Sequence, residues 1–365
     1  MKISAITALL EKMAPLSLQE TYDNAGLITG NPDWVCTGIT VALDATEEVL
    51  IEAVAKGNNL IVAHHPIVFS GLKKISGSGY VEKALVFAIK HDIAIYATHT
   101  NLDNIISGVN GKIADLLGLQ NRRVLASKQG QLKKLVSFVP NDYAEKLSNA
   151  LFDAGAGSIG KYSECGFQTE GFGSFRAGPG SRPFVGEPGE RHYEKETRIE
   201  MIYPAALEAG IVNTLITHHP YEEVAYDLYS LTNAAQGIGS GLIGELETEL
   251  PVNEVLGSLK KLFKVPVIRH SPLVKESIKL VAICGGAGSF LISSALRNKV
   301  DMYITADMKY HEFFDANGQL VIADIGHFES EQYTIDLLYD ILAEKFPTFA
   351  VFKTEVKTNP VNYYI

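Results

Sequence analysis

The chain has 365 residues, 46% of them hydrophobic, with 32 Lys and Arg against 42 Asp and Glu for a net charge of −10. That length exceeds what one hydrophobic core usually organises, so two or three domains are expected, and the acidic balance gives no general attraction to nucleic acid phosphates or anionic membranes. Cys36, Cys165 and Cys284 lack any Cys-x-x-Cys spacing, which suggests reduced thiols in a cytoplasmic protein and not a disulfide framework or a zinc ribbon.

The opening MKISAITALLEKM sets Ile3, Ile6, Leu10 and Met13 at helical spacing, with Glu11 and Lys12 interrupting the apolar run. An amphipathic first helix is predicted there, not a leader peptide, and no later apolar run approaches a membrane span. GITVALDAT then predicts a strand ending near Asp44, EEVLIEAVAKG a helix stopped by Gly57, NLIVA a strand, YVEKALVFAIKHD a helix, IAIYATHT a strand and GVNGKIADLLGL a helix. Near-continuously apolar strands separated by helices predict the α/β class, a mixed sheet covered by helices on both faces.

The pattern changes from residue 127 to 233, where KKLVSFVP, DYAEKLSNALFDAG, GKYSECGFQTEGFGSFR, KETRIEMIYP, AALEAGIVNTLIT and EEVAYDLYSL run in the order β-α-β-β-α-β with a Gly/Pro-rich loop between Ala177 and Arg191. This is the order of a ferredoxin-like α+β unit, expected as a domain inserted into the α/β domain formed by residues 1–126 and 234–365. The last third resumes the α/β rhythm: SIKLVAICGGAG is a strand and a glycine turn, SFLISSALRNK a helix, VDMYITAD and QLVIADIG strands, and ESEQYTIDLLYDILAEKF a closing helix. The two flanking parts are expected to share one sheet.

The triplet His-His-Pro occurs at residues 64–66 and again at 218–220. His64 and His65 lie just past the C-terminal end of a predicted strand, the edge where open α/β sheets place ligands. His218 and His219 instead end a segment with helical spacing, where histidines suit the helix dipole and Pro220 is an ordinary stop, so the second triplet reads as structural. Neighbouring strand ends supply His99 and Asp103, and His327 with Glu331 four residues on, along one face of a helix. Imidazoles and carboxylates without thiolate suit Zn, Mn, Fe or Co. Three histidines, an aspartate and a glutamate exceed one open tetrahedral site but suit two ions roughly 3.5–4 Å apart. His99 is open to a supporting or proton-shuttling role, as is His311 in TADMKYHEFF. Asp307, Lys309, Tyr310 and Glu312 in the same segment could orient a substrate, and the Gly285, Gly286 and Gly288 turn reads either as an anion cradle or as a tight turn needing small residues.

TYDNAGLITG, VALDAT, IVAHHPIVFSG, ATHTNLD, CGGAGS, TADMKYHEF and DIGHFESE resemble, in that order, the motifs of the Nif-three-like family, whose bacterial members are known as GTP cyclohydrolase 1 type 2 homologues. The resemblance covers residues 1 to about 125 and about 235 to 365. It implies two divalent ions, Zn first among them, held by His64, His65, Asp103, His327 and Glu331. It also implies a toroidal homohexamer and a PII/CutA-like insert, which would contain the second triplet. The first reading of function is metal-dependent hydrolysis of a purine nucleotide, in line with that family label; in it His99 or His311 could move protons and Gly285, Gly286, Gly288 or Lys309 could hold phosphate. The alternative is a non-enzymatic hexameric scaffold or regulator whose insert senses a ligand; nucleic acid and membrane partners are not expected.

Overall fold

A computed structural model describes residues 1–364 and divides the chain into two compact units, Met1–Ala126 with Gly237–Ile365, and Ser127–Gln236. The first unit is α/β, but its two halves do not share one sheet. A five-stranded sheet runs Gly26–Thr29, Ala94–Ala97, Leu60–Ala63, Ile39–Ala42, Val351–Lys353, parallel except at Gly26–Thr29. A six-stranded sheet runs Arg269–His270, Val321–Asp324, Met302–Ala306, Ser277–Ala287, Gly239–Pro251, Gln120–Ser127. Each half thus gives the other's sheet an edge strand, Val351–Lys353 in one direction and Gln120–Ser127 in the other.

Two sheets form because the strands are apolar on both faces and each face needs its own cover. The central core explains the layering. Ile39, Val41, Leu60 and Val62 from the first sheet, and Val281, Ile283, Met302 and Ile304 from the second, belong to one buried cluster. Ile6 and Leu10 of helix Ile3–Met13, Val255 and Leu259 of Val252–Leu262, and Leu338 and Leu342 of Thr334–Lys345 complete it. Each such side chain contributes about 1.5–3 kcal/mol on full burial. The outer face of the first sheet packs Ile61 and Ile95 on Val49 and Leu85 of helices Glu47–Ala55 and Tyr80–Lys90, while Ile322 of the second packs with Ile292 and Ala295.

Two predicted elements come out differently. The strand Ser277–Ala287 continues through Gly285 and Gly286, with a register shift between Ile283 and Ala287, where a turn was expected. The closing helix is broken into His327–Glu331 and Thr334–Lys345. At the break, Gln332 Nε2 donates to the Phe263 carbonyl at 3.0 Å and the Tyr333 hydroxyl to that of Leu262 at 2.6 Å, so these side chains tie down the end of helix Val252–Leu262.

Within the Ser127–Gln236 unit, a four-stranded antiparallel sheet runs Gly166–Arg176, Arg191–Pro204, Leu132–Pro140, Tyr226–Ser230, with helices Ala144–Asp153 and Glu208–His218 between strands in the β-α-β-β-α-β order. Leu135, Ile199, Met201 and Tyr203 pack there on Leu147, Leu151, Ile211 and Leu215. The expected insert ended at 233, and this unit ends at Gln236. No helix among the described residues is long and apolar enough to cross a membrane.

Candidate metal centre

His64, His65, His99 and Asp103 follow strands of the first sheet, whereas His327 and Glu331 follow Val321–Asp324 of the second. The cluster therefore lies at strand ends of two sheets, not along the edge of one. Two sets of ligand atoms lie within 4.8 Å of one another, His64 with His65 and His99, and His65 with His327 and Glu331. His65 Nε2 and Glu331 Oε2 are 2.9 Å apart, His327 Nε2 and Glu331 Oε2 3.1 Å, and His65 Nε2 and His327 Nε2 3.3 Å. Asp103 Oδ1 and Glu331 Oε1 lie 3.7 and 3.8 Å from His64 Nε2.

What turns these nitrogens inward is an outer ring of anchors. His64 Nδ1 donates to the Thr98 carbonyl at 2.8 Å, and this fixes the tautomer with a lone pair on Nε2. His65 Nδ1 pairs with Asp44 Oδ1, His327 Nδ1 with Asp307 Oδ2 and His99 Nδ1 with Asp23 Oδ1, each at 2.7 Å. Carboxylate or carbonyl anchoring of the outer nitrogen orients an imidazole for a metal and raises its basicity. Asp44 is itself tied to the hydroxyl of Thr358, and Asp23 to the Thr100 hydroxyl and N–H. Sequence reasoning placed Asp44 and Asp307 at strand ends but did not recognise them, Asp23 or Thr358 as anchors. Their partners are distant in the chain, so local pattern carries no signal for the pairing.

His64 Nε2 and Asp103 Oδ1 are both buried without a hydrogen-bond partner. An unsatisfied buried polar atom costs on the order of 1–3 kcal/mol, and two facing each other beside further imidazoles and a carboxylate fit the binding of a cation. The protonation pattern is that of crowded carboxylates. Burial, reinforced by the Glu331 charge, pushes the Asp103 carboxyl up to about 7. Burial acts the same way on Glu331, yet His327 and the other two imidazoles outweigh it and hold that carboxyl well below its ordinary value. Burial disfavours the charged rings of His65 and His327, but the carboxylates around them raise these groups to about 9 and about 11. These histidine and glutamate groups could hold a metal ion.

The other residues singled out in the sequence separate clearly. Gly285 and Gly286 donate their N–H groups inside the protein, to Asn110 Oδ1 at 3.0 Å and Ser330 Oγ at 2.9 Å, so those N–H groups are not left for an anion. Their smallness serves packing instead: a Cβ at Gly285 would lie 2.9 Å from Val109, and Gly286 makes room for Glu331. Gly286 has φ +63°, and a Cβ there would lie 2.3 Å from Glu331 Oε1. Gly288 accepts the Tyr303 hydroxyl at its carbonyl. Lys309 is exposed and caps the turn Tyr310–Ala316, its N–H donating to Glu312. His311 is exposed, with its ring against Tyr310 and Phe314 and outside the cavity beside the candidate ligands. His99 lines that cavity of about 460 Å³ together with Tyr22, Phe69 and Phe290. In the second triplet, His219 Nε2 donates to the Phe138 carbonyl at 2.9 Å and Nδ1 accepts the Tyr221 N–H at 3.1 Å. Exposed His218 bonds the Thr214 carbonyl in its own helix.

The Duf34/NIF3 (NGG1p interacting factor 3) family model matches residues 1–360, and the chain belongs to that family. Proteins of Bacillus subtilis and Halalkalibacterium halodurans, each named GTP cyclohydrolase 1 type 2 homolog, are 37% and 38% identical to it. The matches cover 98% of this chain in both cases, and 97% and 98% of the relatives. Among solved structures, a Bacillus cereus protein related to NIF3 is 37% identical with a TM-score of 0.85, and a Staphylococcus aureus protein is 28% identical with a TM-score of 0.78. Both matches span 100% of this chain and 99% of the other.

Proposed function

We propose that this chain is a metal-dependent hydrolase acting on a purine nucleotide, with two divalent ions, Zn foremost, held by His64, His65, Asp103, His327 and Glu331. One observation carries the reading: four imidazoles are anchored through Nδ1 and fall into two ligand groups that share His65, beside a buried carboxylate oxygen that lacks a partner. The relatives' name supplies the substrate class, GTP. Two such ions would supply Lewis acidity and a water of lowered pKa. The chain's own residues do the rest. Asp23 holds the His99 ring at the cavity wall, where Nε2 can take and return a proton while one water adds at the purine C8 to open the ring to a formamide and a second water hydrolyses that formamide, releasing formate and leaving the free amine. Tyr22, Phe69 and Phe290 offer ring faces to a base. Lys309 and His311 are exposed and outside this cavity, which leaves them without a part in the reading.

Turnover of GTP, read by formate release and loss of purine absorbance, tests this on protein loaded separately with Zn, Mn, Fe and Co, beside Glu331→Ala. Activity in the wild type and none in the variant is expected. Stoichiometric metal with GTP intact in every arm overturns the substrate. A second reading then takes over, in which a metal-stabilised homohexamer of the cytoplasm serves as a scaffold or regulator and residues 127–233 form a ferredoxin-like, PII/CutA-like sensing insert. The separate core of the Ser127–Gln236 unit favours it.

A further inference from the structure

The Ser127–Gln236 unit contains a hollow of about 730 Å³. Its floor is the sheet face turned away from the two helices. Side chains alternate along strand Arg191–Pro204, so Ile199, Met201 and Tyr203 join the helical core while Glu196 and Arg198 stand on the opposite face. Gly171 is paired across from Glu196, and nothing lies within 4 Å of the place a Cβ would take there. The floor is therefore bare where another residue would have filled it. Phe138, Phe175, Phe184 and Tyr221 stand around it, the Phe175 and Phe184 rings 6.1 and 6.2 Å from that of Tyr221.

Glu196 is the group this wall does not explain. It is 8% exposed, and its Oε1 accepts the Tyr221 hydroxyl at 2.8 Å. Among the described residues no cation pairs with it; Arg198, on the same face, reaches Glu200 instead at 2.9 Å. One hydroxyl leaves most of a carboxylate's acceptor capacity unused, and the second oxygen remains open toward the hollow. Glu170, Glu222 and Glu223 line the hollow as well, against Arg176 and Arg198, so an anionic ligand is disfavoured.

We infer that this hollow binds a flat ring bearing adjacent N–H donors, its donor edge on the Glu196 carboxylate and its faces on the aromatic walls. A carboxylate accepts two parallel N–H groups in one plane, a geometry that an amidinium or the amino-imino edge of a nitrogen heterocycle supplies. The inference does not rest on the hydrolase reading, because the Ser127–Gln236 unit carries all the residues involved.

The test is calorimetric titration of the full-length protein with benzamidine, with guanosine, and with benzoate, a similar ring whose edge only accepts. Binding of benzamidine or guanosine is expected, with benzoate at least about tenfold weaker. Benzamidine alone would identify the ligand as cationic, guanosine alone as a neutral heterocycle. Glu196→Gln keeps the shape and is expected to weaken binding about tenfold or more. Gly171→Leu fills open space without a clash and is expected to abolish binding while metal content and melting temperature stay as in the wild type. Benzoate binding as well as benzamidine, no binding by any of the three, or affinity unchanged in Gly171→Leu overturns the inference.

Discussion

At residues 64–66 the His-His-Pro triplet follows a strand, and at 218–220 it closes a helix. In the first copy both rings are held from outside, His64 by the Thr98 carbonyl and His65 by Asp44, and their Nε2 atoms turn toward Glu331. In the second copy His219 uses both nitrogens on backbone groups, Nε2 as donor and Nδ1 as acceptor, so its one lone pair is not offered to a ligand. Burial lowers its pKa and keeps it neutral. The composition of the triplet is the same; what differs is where the second nitrogen is engaged. A histidine pair is a ligand pair only where the fold provides outer acceptors and leaves the inner atoms free.

Substitutions at the two copies should therefore part company most sharply in metal content. His65→Ala should release the metal, measured by elemental analysis after dialysis, whereas His219→Ala should retain it; equal loss in both would erase the distinction. Next in size come the anchors. Asp44→Asn or Asp307→Asn should lower metal affinity about 10–100-fold while all five proposed ligands remain, read by competition with a chelator. A third test uses pH. In the metal-free protein the folded-state pKa of Asp103 is raised from 3.8 to about 7 and that of His65 from 6.5 to about 9. Both contributions are present below the unfolded values and lost as pH rises through the folded ones. The melting temperature of metal-free protein should accordingly fall as pH rises from about 4, where Asp103 first holds a proton that the unfolded chain has lost, to about 9, and on toward about 11 as His327 gives up its proton; added metal, which replaces those protons, should remove the fall. His219→Ala leaves the Phe138 carbonyl and the Tyr221 N–H unpaired and should cost about 1–3 kcal/mol in denaturant unfolding. His218→Ala, exposed and bonded within its own helix, should stay within about 0.5 kcal/mol of wild type.

The inward-facing histidines were legible because a short apolar strand followed at once by His, or by His and a carboxylate a helical turn on, is a local signal. The α/β class was legible for the same reason. The two-sheet arrangement was not, since the exchange of Val351–Lys353 and Gln120–Ser127 is decided by packing over long sequence separations. Nor did local pattern define Gly239–Pro251 and Val252–Leu262, where glycines interrupt the strand's alternation. Gly285 and Gly286 show the limit at single residues. Sequence supported both a cradle and a tight packing site, and only residues far along the chain, Val109 against Gly285 and Glu331 against Gly286, decide for packing.

His65 and Glu331 touch across 266 residues of chain, and between them lies a whole unit with its own core. On a ribosome adding about 5–20 residues per second, the first imidazoles emerge tens of seconds before the glutamate that joins them. A metal meeting the nascent chain finds two histidines and an aspartate, a weaker hold than the finished centre. Tight occupancy of the proposed centre would therefore come only with the closing turns of synthesis, and metal held there would record that the chain had been completed.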